Sequence, residues 1–308
     1  MTLHEIPLER RTLHGHFSTD LEPVLAIDSG DTIAFSCLDA GWHVEPGTKF
    51  EPRDEELDSG HPLIGPIEVR GAAPGQILEV AIGRVVPGSW GFTAAGDWLT
   101  PLNEVLGLTE NGALLHWELD VGQGLGRDER GREVDLAPFL GVMGMPPPEP
   151  GVHSTSPPRV FGGNIDCKEL VAGTRLHLPI PVAGALFSAG DCHARQGDGE
   201  VSQLAIECQL ERAELTLTAR DAPALATPVA WTPEGWLTFG FHEDLDEAAA
   251  IAVDAMLDLM GREHGVERAD ALALASVVVD LRVTQVVNGV KGIHAVLPHD
   301  AIRFTTIP

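Results

Sequence analysis

Short apolar stretches cut off by glycine, proline and aspartate recur through the first two-thirds of this 308-residue chain, and no other feature constrains its fold as strongly. They stand out in EPVLAIDSGDTIAFSCLDAG from Glu22, in IEVRGAAPGQILEVAIGRVVP from Ile67 and in LVAGTRLHLPIPVAGALFSAGD from Leu170. Apolar runs of this length suit strands. The Ser-Gly-Asp, Ala-Pro-Gly and Ala-Gly-Thr phrases between them read as tight turns, because glycine supplies positive φ while aspartate and proline favour turning. The pattern predicts a mainly β chain of sandwich or jelly-roll-like strands.

The texture changes near Asp244. In DLDEAAAIAVDAMLDLMGREHG, Ile251, Ala255 and Leu259 recur at four-residue spacing and predict one face of a helix. Asp244 with Glu247 resembles a capping box, and Gly261 or Gly265 offers a stop. A second helix is expected from about Asp270, after which LRVTQVVNGVKGIHAVLP reads as strand, Asn288-Gly289 turn and strand. The C-terminal part is therefore mixed α/β. Two regions are expected: a β-rich N-terminal domain over residues 1–150, and residues 151–308 as a β-rich catalytic segment with the α/β part, either separate or intertwined as one domain. Between them GVMGMPPPEPGVHSTSPP, from Gly141 to Pro158, predicts a long loop, a linker or a loop beside an active site.

A formal net charge of −26 opposes phosphate backbones and anionic lipid surfaces, so neither nucleic acid nor membrane is an expected partner. The first residues mix charge and histidine too closely for a signal peptide, and no apolar run reaches the ~18 residues of a bilayer span. A cytoplasmic protein is expected. Cys37, Cys167, Cys192 and Cys208 lack C-x-x-C spacing and are expected to be reduced thiols.

Chemistry-bearing residues gather in FGGNIDCKEL and GDCHARQGDGEV. Asn164 and Asp166 alternate in the first, as do Asp191 and His193 in the second, so each pair would share one face of an extended chain. Asp198 and Glu200 repeat the spacing between glycines, and Glu207 follows in the next strand. Carboxylates with one imidazole suit zinc or another divalent ion, with calcium the alternative if oxygens dominate. The competing reading gives these Asp and Gly residues hairpin turns alone, or a calcium site that only steadies the loops of a non-catalytic binding protein. A thiolate mechanism through Cys192 or Cys167 is disfavoured: neighbours on a strand diverge, so Cys192 and His193 should point apart, and buried apolar cysteine is the plainer role. His14 and His16 read as an amino-terminal edge strand with solvated rings. His61 opens HPLIGP, a proline-held loop able to present its side chain to a cleft. Trp90, Trp98, Trp231 and Trp236 are expected to fill the core.

Five blocks then line up in order along the chain: GHFSTDLEPVLAIDSGDTIAFSCLDAG, HPLIGPIEVRGAAPGQILEV, FGGNIDCKEL, GALFSAGDCHARQGDGEV and VDLRVTQVVNGVKGIHAVLP. Together they resemble the signature blocks of the acetamidase/formamidase family over nearly the whole length. The resemblance implies a β-rich fold and metal-dependent hydrolysis of short linear amides to ammonia and a carboxylate. Carried over by motif, it implies Asp166, Asp191, His193 and Glu207 as metal ligands, with Glu200, Asp198 and His61 as the catalytic groups nearby. Cys167 and Cys192 depart from the small or apolar residues of many relatives. An unactivated amide needs a sharpened nucleophile, a polarised carbonyl and a protonated leaving amine, and Glu200, with Asp198 second, is the expected proton shuttle. A relative acting on a larger amide is the alternative, and a homodimer is the expected assembly.

Overall fold

The computed structural model describes residues 1–51, 54 and 57–303. Strands dominate, as the turn-punctuated sequence predicts, and the two longest helices fall in the C-terminal part. No helix among the described residues is long and apolar enough to cross a membrane.

Eight strands frame the central region: β1 (Asp31–Cys37), β2 (Leu63–Val69), β3 (Ile77–Ala95), β4 (Phe139–Gly144), β5 (Gly162–Asn164), β6 (Arg175–Pro179), β7 (Phe187–His193) and β8 (Glu207–Arg220). β8 runs antiparallel to both β1 and β3. β7 pairs with β4, with β2 and, at its last residues, with the start of β8. Strands from either side of residue 150 thus interleave through shared ladders, and side chains from Ile6 to Phe239 form one apolar core. β8 alternates buried and half-buried positions, the mark of a strand with one face on the core. β7 is buried at every position, so each polar group it carries needs a partner inside the protein.

The Gly141–Pro158 expectation is corrected at its start. Gly141 to Gly144 belong to β4, a fully buried strand laddered to β5 on one side and β7 on the other. The prolines that suggest a loop begin only at Pro146, and the glycines before them serve close backbone approach: a Cβ on Gly144 would lie 2.2 Å from the Gly163 nitrogen.

The C-terminal part comprises β9 (Gly235–His242), α1 (Leu245–His264), α2 (Arg268–Val278), β10 (Asp280–Gln285) and β11 (Lys291–Pro298). β11 lies between β9 and β10, antiparallel to each, and α1 covers this sheet around a second apolar cluster. Asp244 caps α1 by accepting from the backbone N–H groups of Asp246 and Glu247, and Gly265 ends it at φ 67°. The buried stripe, however, runs through Ala248, Ala252, Met256 and Met260; of the expected face Leu259 is buried but Ile251 is exposed. Two stripes of four-residue spacing coexist in this helix, and the one richer in alanine wins because it lets the helix backbone approach Gly240 of β9.

His14 and His16 are not solvated. Both are buried: His14 Nε2 lies 2.9 Å from Ser188 Oγ on β7, and its Nδ1 lies 2.6 Å from the His16 carbonyl oxygen. The four tryptophans expected in the core are only half-buried, and Trp42 is the one fully enclosed.

Candidate active site

β7 delivers a carboxylate and an imidazole into this packed interior. Asp191 and His193 are each buried, with His193 Nε2 3.3 Å from Asp191 Oδ2. Register places Glu207, the first residue of β8, opposite His193, and Glu207 Oε2 stands 3.4 Å from the same Nε2. Asp166 enters from the turn that follows β5, and Glu200 from the turn between β7 and β8. Donor atoms of Asp166, Asp191 and His193 lie within 4.8 Å of one another, as do those of His193, Glu200 and Glu207. Two donor triads therefore share one imidazole.

Backbone strain accompanies this convergence. Asp166, Asp191 and Glu200 adopt φ values of 52°, 62° and 45°, in the left-handed region that side-chain-bearing residues seldom occupy. Such conformations persist where the surrounding structure over-determines them, and they concentrate at working sites. A Cβ on Gly141 of β4 would sit 2.4 Å from Asp191 Oδ2 and 2.5 Å from Asp166 Oδ1, so glycine there keeps the space between the two carboxylates open.

Second interactions orient the cluster. Gln196 Oε1 lies 2.8 Å from His193 Nδ1 while its Nε2 donates to the Asp166 carbonyl at 2.8 Å. With Gln196 accepting from Nδ1–H, the other ring nitrogen faces the carboxylates, the orientation of a metal-binding histidine. Asn288 Nδ2 donates to Asp166 Oδ2 at 2.6 Å, and the Ala205 N–H donates to Glu207 Oε1 at 2.8 Å. Left over are Asp166 Oδ1, Asp191 Oδ1, Glu200 Oε2 and Glu207 Oε2, buried oxygens with no hydrogen-bond partner among the described residues. Unmet buried carboxylate oxygens are costly, and four in one place fit a cation that satisfies them together. The 3.3 and 3.4 Å separations around His193 also match the ~3.3 Å edges of a tetrahedral site with metal–ligand distances near 2.0–2.1 Å. The residues present fit a divalent metal.

The electrostatics agree. Burial opposes charge on His193, yet the Glu207 and Asp191 carboxylates outweigh it and hold the ring well above its ordinary value. Burial also works against Asp191, but His193 and His61 together with hydrogen bonding bring its carboxyl down to about 2. Burial, reinforced by Asp191, lifts Asp166 to about 7. Glu200 is pushed well above the carboxylate range by burial and by the charges of Asp166, Glu207 and Asp191. Its surroundings thus push it in the direction opposite to Asp191 within the same cluster.

His61 is half-buried, with Nδ1 2.9 Å from Thr155 Oγ1, and it is close enough to influence both Asp166 and Asp191. Asp198 faces elsewhere: its carboxylate pairs with Lys168 at 3.1 Å and with Arg282 at 2.6 Å. The reversal at Glu200 separates two residues whose spacing suggested a common face. Cys192 and Cys208 are buried with their sulfurs 3.5 Å apart, and all four cysteines are free thiols. Gln196, Asn288, Thr155 and Gly141 were not visible as site residues in the sequence. Gln196 lies inside GDCHARQGDGEV, where its distance of three from His193 was the available signal; the others come from remote segments.

A cavity of about 250 Å3 reaches Glu200 and is walled by Trp117, Val134, Leu204 and Ile206. A larger one of about 470 Å3 lies against α1 and touches none of the clustered groups.

The crystal structure of an acetamidase from Bacillus halodurans superposes with a TM-score of 0.84 at 28% identity, over 95% of this chain and 97% of that one. A formamidase of Methylophilus methylotrophus is 27% identical over 242 residues, covering 62% of this chain and 60% of its own length. An acetamidase of Mycolicibacterium smegmatis is 25% identical over 248 residues, covering 61% of each. The chain thus spans about three-fifths of the length of these last two relatives. The model of the Acetamidase/Formamidase family matches residues 3–151 and 149–304, so the chain belongs to the acetamidase/formamidase family.

Proposed function

We propose that this protein hydrolyses short linear amides of the formamide or acetamide kind to ammonia and a carboxylate, with a divalent metal held by Asp166, Asp191, His193 and Glu207. The observation that carries this reading is the set of four buried, unpartnered carboxylate oxygens around His193. Zinc suits the mixed nitrogen and oxygen donors better than calcium, which favours oxygen alone. When bound, such an ion supplies a water of lowered pKa and polarises the substrate carbonyl.

The chain's own residues supply the rest. Glu200 is buried beside the ligand carboxylates and lines the cavity, so its Oε2 can pass a proton between the attacking water and the departing amine nitrogen. His61, braced at Nδ1 by Thr155, can turn Nε2 toward the substrate oxygen. The apolar wall of Trp117, Val134, Leu204 and Ile206 offers a surface for the acyl side of a short amide. Asp198, engaged by Lys168 and Arg282, takes no proton in this scheme. The free thiols support a cytoplasmic setting, and the frequency of twofold assemblies supports a homodimer.

Ammonia release from formamide and acetamide tests the reading. Chelation should abolish it while the circular dichroism spectrum stays unchanged, and zinc should restore it. Absence of ammonia from every short amide, with metal bound and the chain folded, sinks the proposal.

A further inference from the structure

A second group of donors lies one residue along the chain from Asp166. Cys167 and Glu169 come from the turn that follows β5, and His294 comes from β11. Cys167 Sγ is 3.2 Å from Glu169 Oε2, and His294 Nε2 is 3.5 Å from the same oxygen. All three donor atoms lie within 4.8 Å of one another. We propose that Cys167, Glu169 and His294 form a second metal site, selective for a thiolate-accepting divalent ion of the zinc class and sharing no ligand with the amidase cluster.

Geometry carries the assignment. Metal–sulfur distances near 2.3 Å and metal–nitrogen or –oxygen distances near 2.0–2.1 Å put tetrahedral donors ~3.3–3.5 Å apart, which the two observed separations approach. A hydrogen-bond network alone leaves this cluster incomplete. The thiol donates to Glu169, but His294 Nε2 has no hydrogen-bond partner among the described residues, although the side chain is fully buried. A buried imidazole nitrogen left unmet is destabilising. Its ring is not free to turn away, because Nδ1 lies 2.9 Å from Thr284 Oγ1 on β10, an outer contact of the kind that fixes metal-binding histidines.

Glu169 is oriented as well. Its Oε1 is held at 2.6 Å by Arg282, whose guanidinium also grips Asp198, and this turns Oε2 toward Cys167 and His294. Glu169 and Arg282 line a cavity of about 350 Å3, which provides an entry path and room for water at a fourth position. Binding releases the thiol proton to solvent and leaves the thiolate on the metal. Because Cys167 follows Asp166 directly, occupancy ties the turn bearing an amidase ligand to β11. The ion is thus placed to brace the amidase cluster without entering its chemistry.

Cobalt(II) added to the purified full chain gives the test. Thiolate ligation produces a sulfur-to-cobalt charge-transfer absorption in the near ultraviolet, which the cysteine-free amidase cluster cannot generate. The band is expected in the unaltered chain, is lost in Cys167→Ala and persists in Asp191→Asn, which disables the other site. Zinc content should fall by about one equivalent per chain in His294→Ala. A cobalt-loaded unaltered chain with no such band overturns the proposal without recourse to any variant. So does a band that survives in Cys167→Ala, since another thiol is then its source.

Discussion

Glu200 and Asp191 are pushed in opposite directions, Glu200 up by burial and neighbouring carboxylates and Asp191 down by His193 and His61, although both lie in the same buried cluster. Environments that push two carboxyl groups apart in this way separate the ligand from the proton carrier. Glu200→Gln preserves shape and removes the titratable group. It should keep the metal and lower kcat about a hundred- to ten-thousand-fold, read by ammonia release alongside metal content. Retained turnover rejects the role. Part of this was legible in the sequence: alternation singled out Asp191 with His193, and the same spacing drew attention to Glu200. Spacing could not show that Glu200 adopts φ 45° and turns inward while Asp198 turns to Arg282. Nor could it show Asn288, read as a turn residue, donating to Asp166 across 122 positions of sequence. Bridges between remote segments leave no local period behind.

Elements explain why the site is rigid. β7 is buried along its whole length, and its neighbours β4, β2 and β8 fix its register, so Asp191 and His193 move only if the sheet moves. Strand-rich character and the two C-terminal helices were readable from punctuation and periodicity, whereas the helix face was not. Two apolar stripes compete in α1, and the choice between them rests on β9, where a Cβ on Gly240 would fall 1.9 Å from the Ala248 carbonyl oxygen and 2.7 Å from the Ala252 nitrogen. Both obstacles are backbone, which cannot rotate aside. Gly240→Ala should therefore destabilise the fold at or beyond the upper end of the ~1–3 kcal/mol typical of overpacking, measured by urea unfolding. A loss below about 0.5 kcal/mol would show that α1 slides over the sheet without cost and that the alanine stripe is incidental.

At the scale of the molecule, acidity is both a surface property and an internal one. A net charge of −26 is compatible with folding because most of it faces water, while four of the buried carboxylates gather around His193. Buried histidines set a further condition on pH. His14, read from sequence as solvated, packs against Ser188 of β7, and burial holds its ring down to about 4 against an ordinary value of 6.5. Between those values the unfolded chain takes up a proton that the folded chain refuses. The contribution of neutral His14 is therefore complete above the unfolded value and is lost as pH falls toward the folded one. The gap corresponds to a loss of about 2 kcal/mol between about pH 7.5 and about pH 5. Chemical unfolding at the two pH values, for the unaltered chain and for His14→Gln, isolates this share from the other titrating groups. The variant should lose less stability on acidification, by about that amount. Equal losses in the two proteins would mean that His14 is protonated in the folded state and that its enclosure against β7 costs the ring no charge.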